Sequence, residues 1–185
     1  DAEILLGGLT WPDDEWLATL AGQGVASDFD VTPFHAYPET WNEASVEEYL
    51  DGAYRTEFVA ENAAGGADRP IWINEMGFAT TPGRDEREQA NWFARAASTF
   101  LADPHVEHIG FYELRDLLRD SPALGDDANY SLGLIDAQGN KKLAFATVAL
   151  LADLLDTGTL AAIDGDAQVT VADGAAGDLH HHLFL

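Results

Sequence analysis

Pro70-Ile71-Trp72-Ile73-Asn74-Glu75-Met76-Gly77-Phe78 is an apolar run of strand type that ends abruptly in a carboxylate and then a small residue. Near-continuous Ile and Trp is the pattern of a strand buried within a parallel sheet. A Glu at the C-terminal end of such a strand has no packing reason to be there. In an α/β barrel, that end of the strand is where catalytic groups sit. The plain alternative is a Glu that starts a solvated loop.

Outward from this stretch, strand and helix signals alternate. Residues 4–9 form a short apolar run ending near glycines, and residues 13–21 read as a helix with Trp16, Leu17 and Leu20 on one face. Residues 29–35 read as a second strand, closed by the loop 36–41. A long helix is expected over 45–63, where Ser45 can cap the start and Glu48 stands three residues later as in a capping box. Gly65-Gly66 would end it. After the 71–75 strand come a helix over 85–101, a strand over 106–114, a loop rich in Asp, Pro and Gly over 115–129, a short extended piece at 132–135 and a last helix over 140–155. This alternation predicts an α/β fold with a parallel sheet. Four βα units do not close a barrel of eight. Beyond Thr159 the character changes to antiparallel strands joined by Asp164-Gly165 and Asp173-Gly174. The expected division is 1–157 as a partial barrel and 158–185 as the start of a β-sandwich-like domain, with both ends cut from a longer chain.

The 185 residues are 46% apolar, enough to bury a core, and include no cysteine, which removes disulfides and thiolate metal sites. No stretch reaches the roughly 18 apolar residues of a membrane-spanning helix. Asp and Glu number 33 against 9 Lys and Arg, a net charge of −24. Such a surface repels nucleic acid and anionic membranes, so neither is an expected partner. The acidic residues are dispersed and lysine is confined to Lys141 and Lys142, a composition that predicts adaptation to high salt. No phosphate-binding Gly-rich loop and no Gly-x-Ser-x-Gly elbow is present. His180-His181-His182 is not expected to form a metal site, because in a strand at most two of the three would share a side and no spaced set of carboxylates accompanies them.

In order and content these stretches resemble the second half of a clan A glycoside hydrolase, a retaining (β/α)8-barrel enzyme, with the nearest likeness to families thirty-nine and five. Residues 4–9 resemble strand five. Phe34-His35-Ala36-Tyr37-Pro38 is similar to the end of strand six, with its His-x-Tyr-Pro stretch. Trp72-Ile73-Asn74-Glu75-Met76-Gly77 is similar to the end of strand seven, where the nucleophilic Glu sits with Gly two residues on. Gly110-Phe111-Tyr112-Glu113-Leu114-Arg115-Asp116 is similar to strand eight with its aromatic end, and residues 130–145 to the loop and turn that lead into helix eight. The resemblance covers about residues 2–156. One part of the pattern is missing. The acid/base Glu belongs at the end of strand four, usually in an Asn-Glu pair, and nothing before Ile4 supplies it. Asn74-Glu75 mimics that pair, but one strand, its loop and a terminal helix follow, which fits the nucleophile position instead.

The resemblance implies the C-terminal half of a TIM barrel, strands five to eight, followed by a β-rich appendage. It implies hydrolysis of β-glycosidic bonds with retention, without metal or organic cofactor, on a carbohydrate substrate, and polysaccharide substrates favour secretion. Glu75 is the expected nucleophile. Tyr37 is the expected donor that keeps it ionised, with His35 beside it; the plain readings are a Tyr packed on Pro38 and a structural His. Trp11 and Trp41 lie just past strand ends, where a flat ring can cover the apolar face of a pyranose, and Tyr112 joins them as a substrate-binding aromatic. Glu113 is expected to bind a sugar hydroxyl or to pair with Arg115 or Arg119. Trp72 is expected to pack between sheet and helices, and Trp16 and Trp92 to be buried on their helices. A half barrel leaves an open sheet edge, so the chain alone is expected to be inactive and to need the missing N-terminal half or self-association. The alternatives are a non-catalytic carbohydrate-binding barrel and a structural surface domain.

Overall fold

The computed structural model describes residues 2–64, 69–120, 122 and 125–155. The strands and turns expected beyond Thr159, the His180–His182 run and the Gly65-Gly66 helix end lie outside them. The described chain is a mixed α/β structure around a small parallel sheet. Its elements run α1 (Asp14–Gly22), β1 (Thr32–Ala36), α2 (Val46–Tyr49), a wide π-type segment (Leu50–Phe58), α3 (Val59–Ala64), β2 (Ile71–Met76), α4 (Glu86–Leu101), β3 (Val106–Phe111) and α5 (Leu143–Leu155). The sheet order is β1-β2-β3, all parallel.

The stretch at 4–9 runs beside β1 in parallel, but only as isolated bridges, Leu5 to Val31 and Leu9 to Phe34. Gly7-Gly8 explains the interrupted ladder. A Cβ on Gly8 would stand 2.8 Å from His35 Nε2 and 2.9 Å from Asn74 Nδ2, so glycine there leaves room for those two side chains. The register between β1 and β2 also matters. Thr32 to Phe34 pair with Ile71 to Ile73, and then a bulge between Phe34 and His35 sets His35 against Glu75.

Alternation along β2 sends Ile71 and Ile73, both fully buried, to the helix side of the sheet. There they join Phe34, Tyr54, Phe58, Phe93 and Phe100 in one apolar core. Trp72 is therefore not part of the sheet–helix packing expected of it. It faces the other side and packs against His108, the rings tilted 35° to each other with centroids 4.7 Å apart. Trp92 is buried as expected, against Phe78, whereas Trp16 is 38% exposed because Leu17 takes the inward position of α1.

The helix starts follow their caps. Asp13 accepts from Trp16 N, and Ser45–Glu48 and Asp85–Glu88 each form a complete capping box. The long helix expected over 45–63 is broken at Gly52, whose ψ of −137° is not helical, into α2, the wide segment and α3. The last helix starts at Leu143, later than expected, because Asp136 draws residues 138 and 140 into a turn by accepting from both backbone N–H groups. Residues 132–135, expected as an extended piece, form no strand, only isolated bridges such as that from Ile135 to Arg115, but lie along 113–115, with Leu134 N and Ile135 N donating to Glu113 O and Leu114 O. No helix among the described residues is long and apolar enough to cross a membrane.

Candidate active site

Parallel strands open at one end, and in open α/β sheets ligands bind at their carboxyl ends. At that end lies a cavity of about 440 Å³ lined by Thr10, Trp11, His35, Tyr37, Trp41, Asn42, Tyr49, Glu75, Tyr112 and Asn129. Each wall follows from a strand end. Leu9 is tied to β1 through His35 N, which donates to Leu9 O at 2.7 Å, and so delivers Thr10 and Trp11. The β1 end delivers His35, Tyr37 and Trp41, the β2 end Glu75, and the β3 end Tyr112, whose backbone N donates to Met76 O at 2.7 Å. Gly77 permits that close approach, since a Cβ there would stand 2.1 Å from Tyr112 O. The Tyr112–Glu113 peptide bond is cis.

Glu75 sits at the centre. Tyr37 Oη donates to its Oε2 at 2.8 Å, and His35 Nδ1 lies 3.2 Å from the same oxygen. The Glu75 side chain remains 34% exposed, so it is open to the cavity. Burial, reinforced by the bond to Glu75, holds the Tyr37 hydroxyl protonated far above the ordinary phenol range. Burial also raises Tyr112, with Glu113 and Glu75 adding to the effect. Tyr37 meets the Trp41 ring edge-on at 4.6 Å and the Tyr112 ring at 6.5 Å, so the three form a continuous aromatic wall. Trp41 Nε1 donates to both carboxylate oxygens of Asp126 at 3.1 Å. Asp126 in turn caps the short 3-10 turn Asp127–Tyr130 that carries Asn129. The β1 loop and the loop after β3 are thus tied across the rim.

Six of the nominated residues, Trp11, His35, Tyr37, Trp41, Glu75 and Tyr112, meet at this one cavity, while Glu113 does not line it. The expected partners of Glu113 are also elsewhere: Arg115 donates to Ala137 O and Arg119 pairs with Asp127. Glu113 Oε1 is buried without a hydrogen-bond partner. Burial pushes its carboxyl up, Asp116 and Glu75 add to the rise, and Lys142 opposes it. Lys142, itself buried, is held by Asp116 at 2.7 Å and by Thr80 Oγ1 and Ser131 O at 3.3 Å. Even with Lys142 bound, burial leaves the Asp116 carboxyl raised. Thr10, Asn42, Tyr49 and Asn129 are cavity residues that the sequence reading missed. Glu75 is the one carboxylate lining the cavity among the described residues, and no group of three His, Asp or Glu there could hold a metal ion.

No protein-family model and no curated protein matches the sequence. Solved structures do. A family two β-galacturonidase from Eisenbergiella tayi bound to galacturonate is similar at TM-score 0.53 and 20% identity, over 66% of this chain and 23% of that one. The β-D-glucuronidase of Dictyoglomus thermophilum is similar at TM-score 0.52 and 13% identity, over 71% and 23%. The Bifidobacterium dentium β-glucuronidase complexed with coumarin-3-O-glucuronide is similar at TM-score 0.51 and 16% identity, over 66% and 20%. This chain spans less than a quarter of the length of each. At these identities the likeness is one of fold. It corrects the resemblance to families thirty-nine and five. The residues that carried that resemblance are strand-end carboxylates, aromatics and glycines, which mark where parallel strands open and do not separate one family from another.

Proposed function

We propose that this chain supplies the nucleophile side of a glycoside hydrolase site that cleaves β-glycosidic bonds with retention. The observation that carries the reading is the Tyr37–Glu75 hydrogen bond of 2.8 Å within a cavity walled by Trp11, Trp41 and Tyr112. Glu75 attacks the anomeric carbon while a second carboxyl, about 5–5.5 Å away, protonates the departing oxygen. That second group then takes a proton from water, which displaces Glu75 and restores the starting anomeric configuration. Tyr37 donates to the carboxylate in its ionised form, and the aromatic wall stacks on the sugar. We propose further that the 4–9 segment and β1 to β3 are strands five to eight of a (β/α)8 barrel whose other half brings the acid/base carboxyl. The sheet face opposite the helices supports this. It carries Trp72 and Asn74, whose Nε1 and Oδ1 are buried without partners, as polar atoms would be on a face that belongs inside a larger barrel.

The test is a 2-fluoro glycoside that traps the glycosyl-enzyme, applied to the full-length protein and followed by peptide mapping. Label on Glu75, together with loss of turnover but retention of fold in Glu75→Ala, is the expected result. Sugar binding without label would favour a non-catalytic carbohydrate-binding barrel, a reading that the single lining carboxylate among the described residues keeps in view. Substantial turnover by Glu75→Ala would remove Glu75 from the nucleophile role.

A further inference from the structure

The charge around the cavity points to the class of sugar it accepts. All nine Lys and Arg residues of the chain fall among the described residues, and none lines the cavity. Those that belong to the surrounding loops, or reach them, are engaged elsewhere. Arg95 is bound to Glu39 and Glu47, Arg119 to Asp127 and Lys142 to Asp116. Arg84 lies over the Phe78 ring and lines the adjoining groove, where Glu39, Glu43 and Asp126 also stand. His35, the one imidazole of the lining, has its Nδ1 3.2 Å from Glu75 Oε2.

We propose that this chain's share of the site favours a neutral glycoside over the matching uronate, an inference that rests on the glycoside-binding function proposed above. A uronate carboxylate is a permanent anion at neutral pH. Moving it out of water requires charge-assisted donors in return. Here it would meet the Glu75 carboxylate inside, Asp126 on the rim and the field of a chain with net charge −24. A neutral hydroxymethyl group at the same carbon asks only for ordinary hydrogen bonds, which Thr10, Asn42, Asn129 and the phenols can make. This would set the chain apart from the uronide-acting enzymes whose fold it shares.

Calorimetric titration of the full-length protein with methyl β-glycosides of the gluco, galacto and manno series, each against its uronate, tests the proposal. In the series that binds, the neutral sugar should bind roughly tenfold or more tightly at low salt, and the gap should shrink in molar salt as the charges are screened. Thr10→Lys, at an exposed loop position, should narrow the low-salt gap by bringing a cation to the cavity. Uronate binding equal to or tighter than the neutral sugar overturns the proposal and leaves the glycoside reading standing. No binding of any of the six by a cooperatively melting protein overturns both.

Discussion

Tyr37 holds Glu75 through one hydrogen bond, and that bond can be removed without disturbing the fold. A hydrogen bond to a charged group contributes about 1.5–3 kcal/mol. Tyr37→Phe should therefore lower kcat of the full-length protein roughly tenfold to a hundredfold, with little change in melting temperature. An unchanged kcat would reduce Tyr37 to a wall residue. Glu113 makes a prediction of opposite character. Its folded-state carboxyl is raised by burial. Below the unfolded value, about 4.3, the group is neutral in both states and its contribution is fully present. As pH rises through the folded value, folding must hold a buried charge and that contribution is lost. Glu113→Gln should melt higher than the parent at neutral pH, and the difference should close near about pH 4. A lower melting temperature at pH 7 would mean that the carboxylate has a favourable partner. At this scale the sequence was most readable at strand ends. Trp11, His35, Tyr37, Trp41, Glu75 and Tyr112 converge because parallel strands open on one side. Asn129 was not readable, because its place depends on Asp126 capping a turn and holding Trp41. Nor was the isolation of Glu113, since Arg115 turns to a carbonyl of the 132–137 stretch instead.

Among the elements, α4 depends on its start. The Asp85 carboxylate accepts from Arg87 N and Glu88 N at 2.9 Å, and Glu88 returns a bond to Asp85 N at 2.7 Å. Asp85→Ala should cost about 1 kcal/mol, read as a drop of a few degrees in melting temperature; no drop would show that packing of Trp92, Phe93 and Phe100 alone fixes the helix. The capping boxes were legible because they are local. The break at Gly52 was not, although the sequence carried a trace of it. Val46, Leu50, Tyr54, Phe58 and Asn62 are all buried, a spacing of four. An ordinary helix repeats every 3.6 residues and would rotate such a row off the core. The wide segment keeps the row facing inward. The 4–9 strand was readable in place and direction but not in continuity, because Gly8 serves the His35 and Asn74 side chains before it serves the ladder.

For the whole molecule, charge is the dominant property. A net −24 over 185 residues repels itself at low ionic strength, and the screening length falls from about 10 Å at 0.1 M salt to about 3 Å at 1 M. The melting temperature should rise steadily from 0.1 M to molar KCl. A flat or falling curve would assign the acidity to something other than salt adaptation. The parallel α/β arrangement was legible from element order. No one family was legible, because the signals that reveal strand ends are common to parallel α/β folds of many families.

The rim carries its own signal. Trp11 and Trp41 are 58% and 44% exposed, while Trp92 is sealed in the core. Water on an indole face shifts its emission to longer wavelength, so a ring laid over either face would return a blue shift and protect that indole from aqueous quenchers. Occupancy of this cavity can thus be followed by intrinsic fluorescence in the unlabelled protein, with Trp41→Phe and Trp11→Phe telling which side of the mouth the ligand covers.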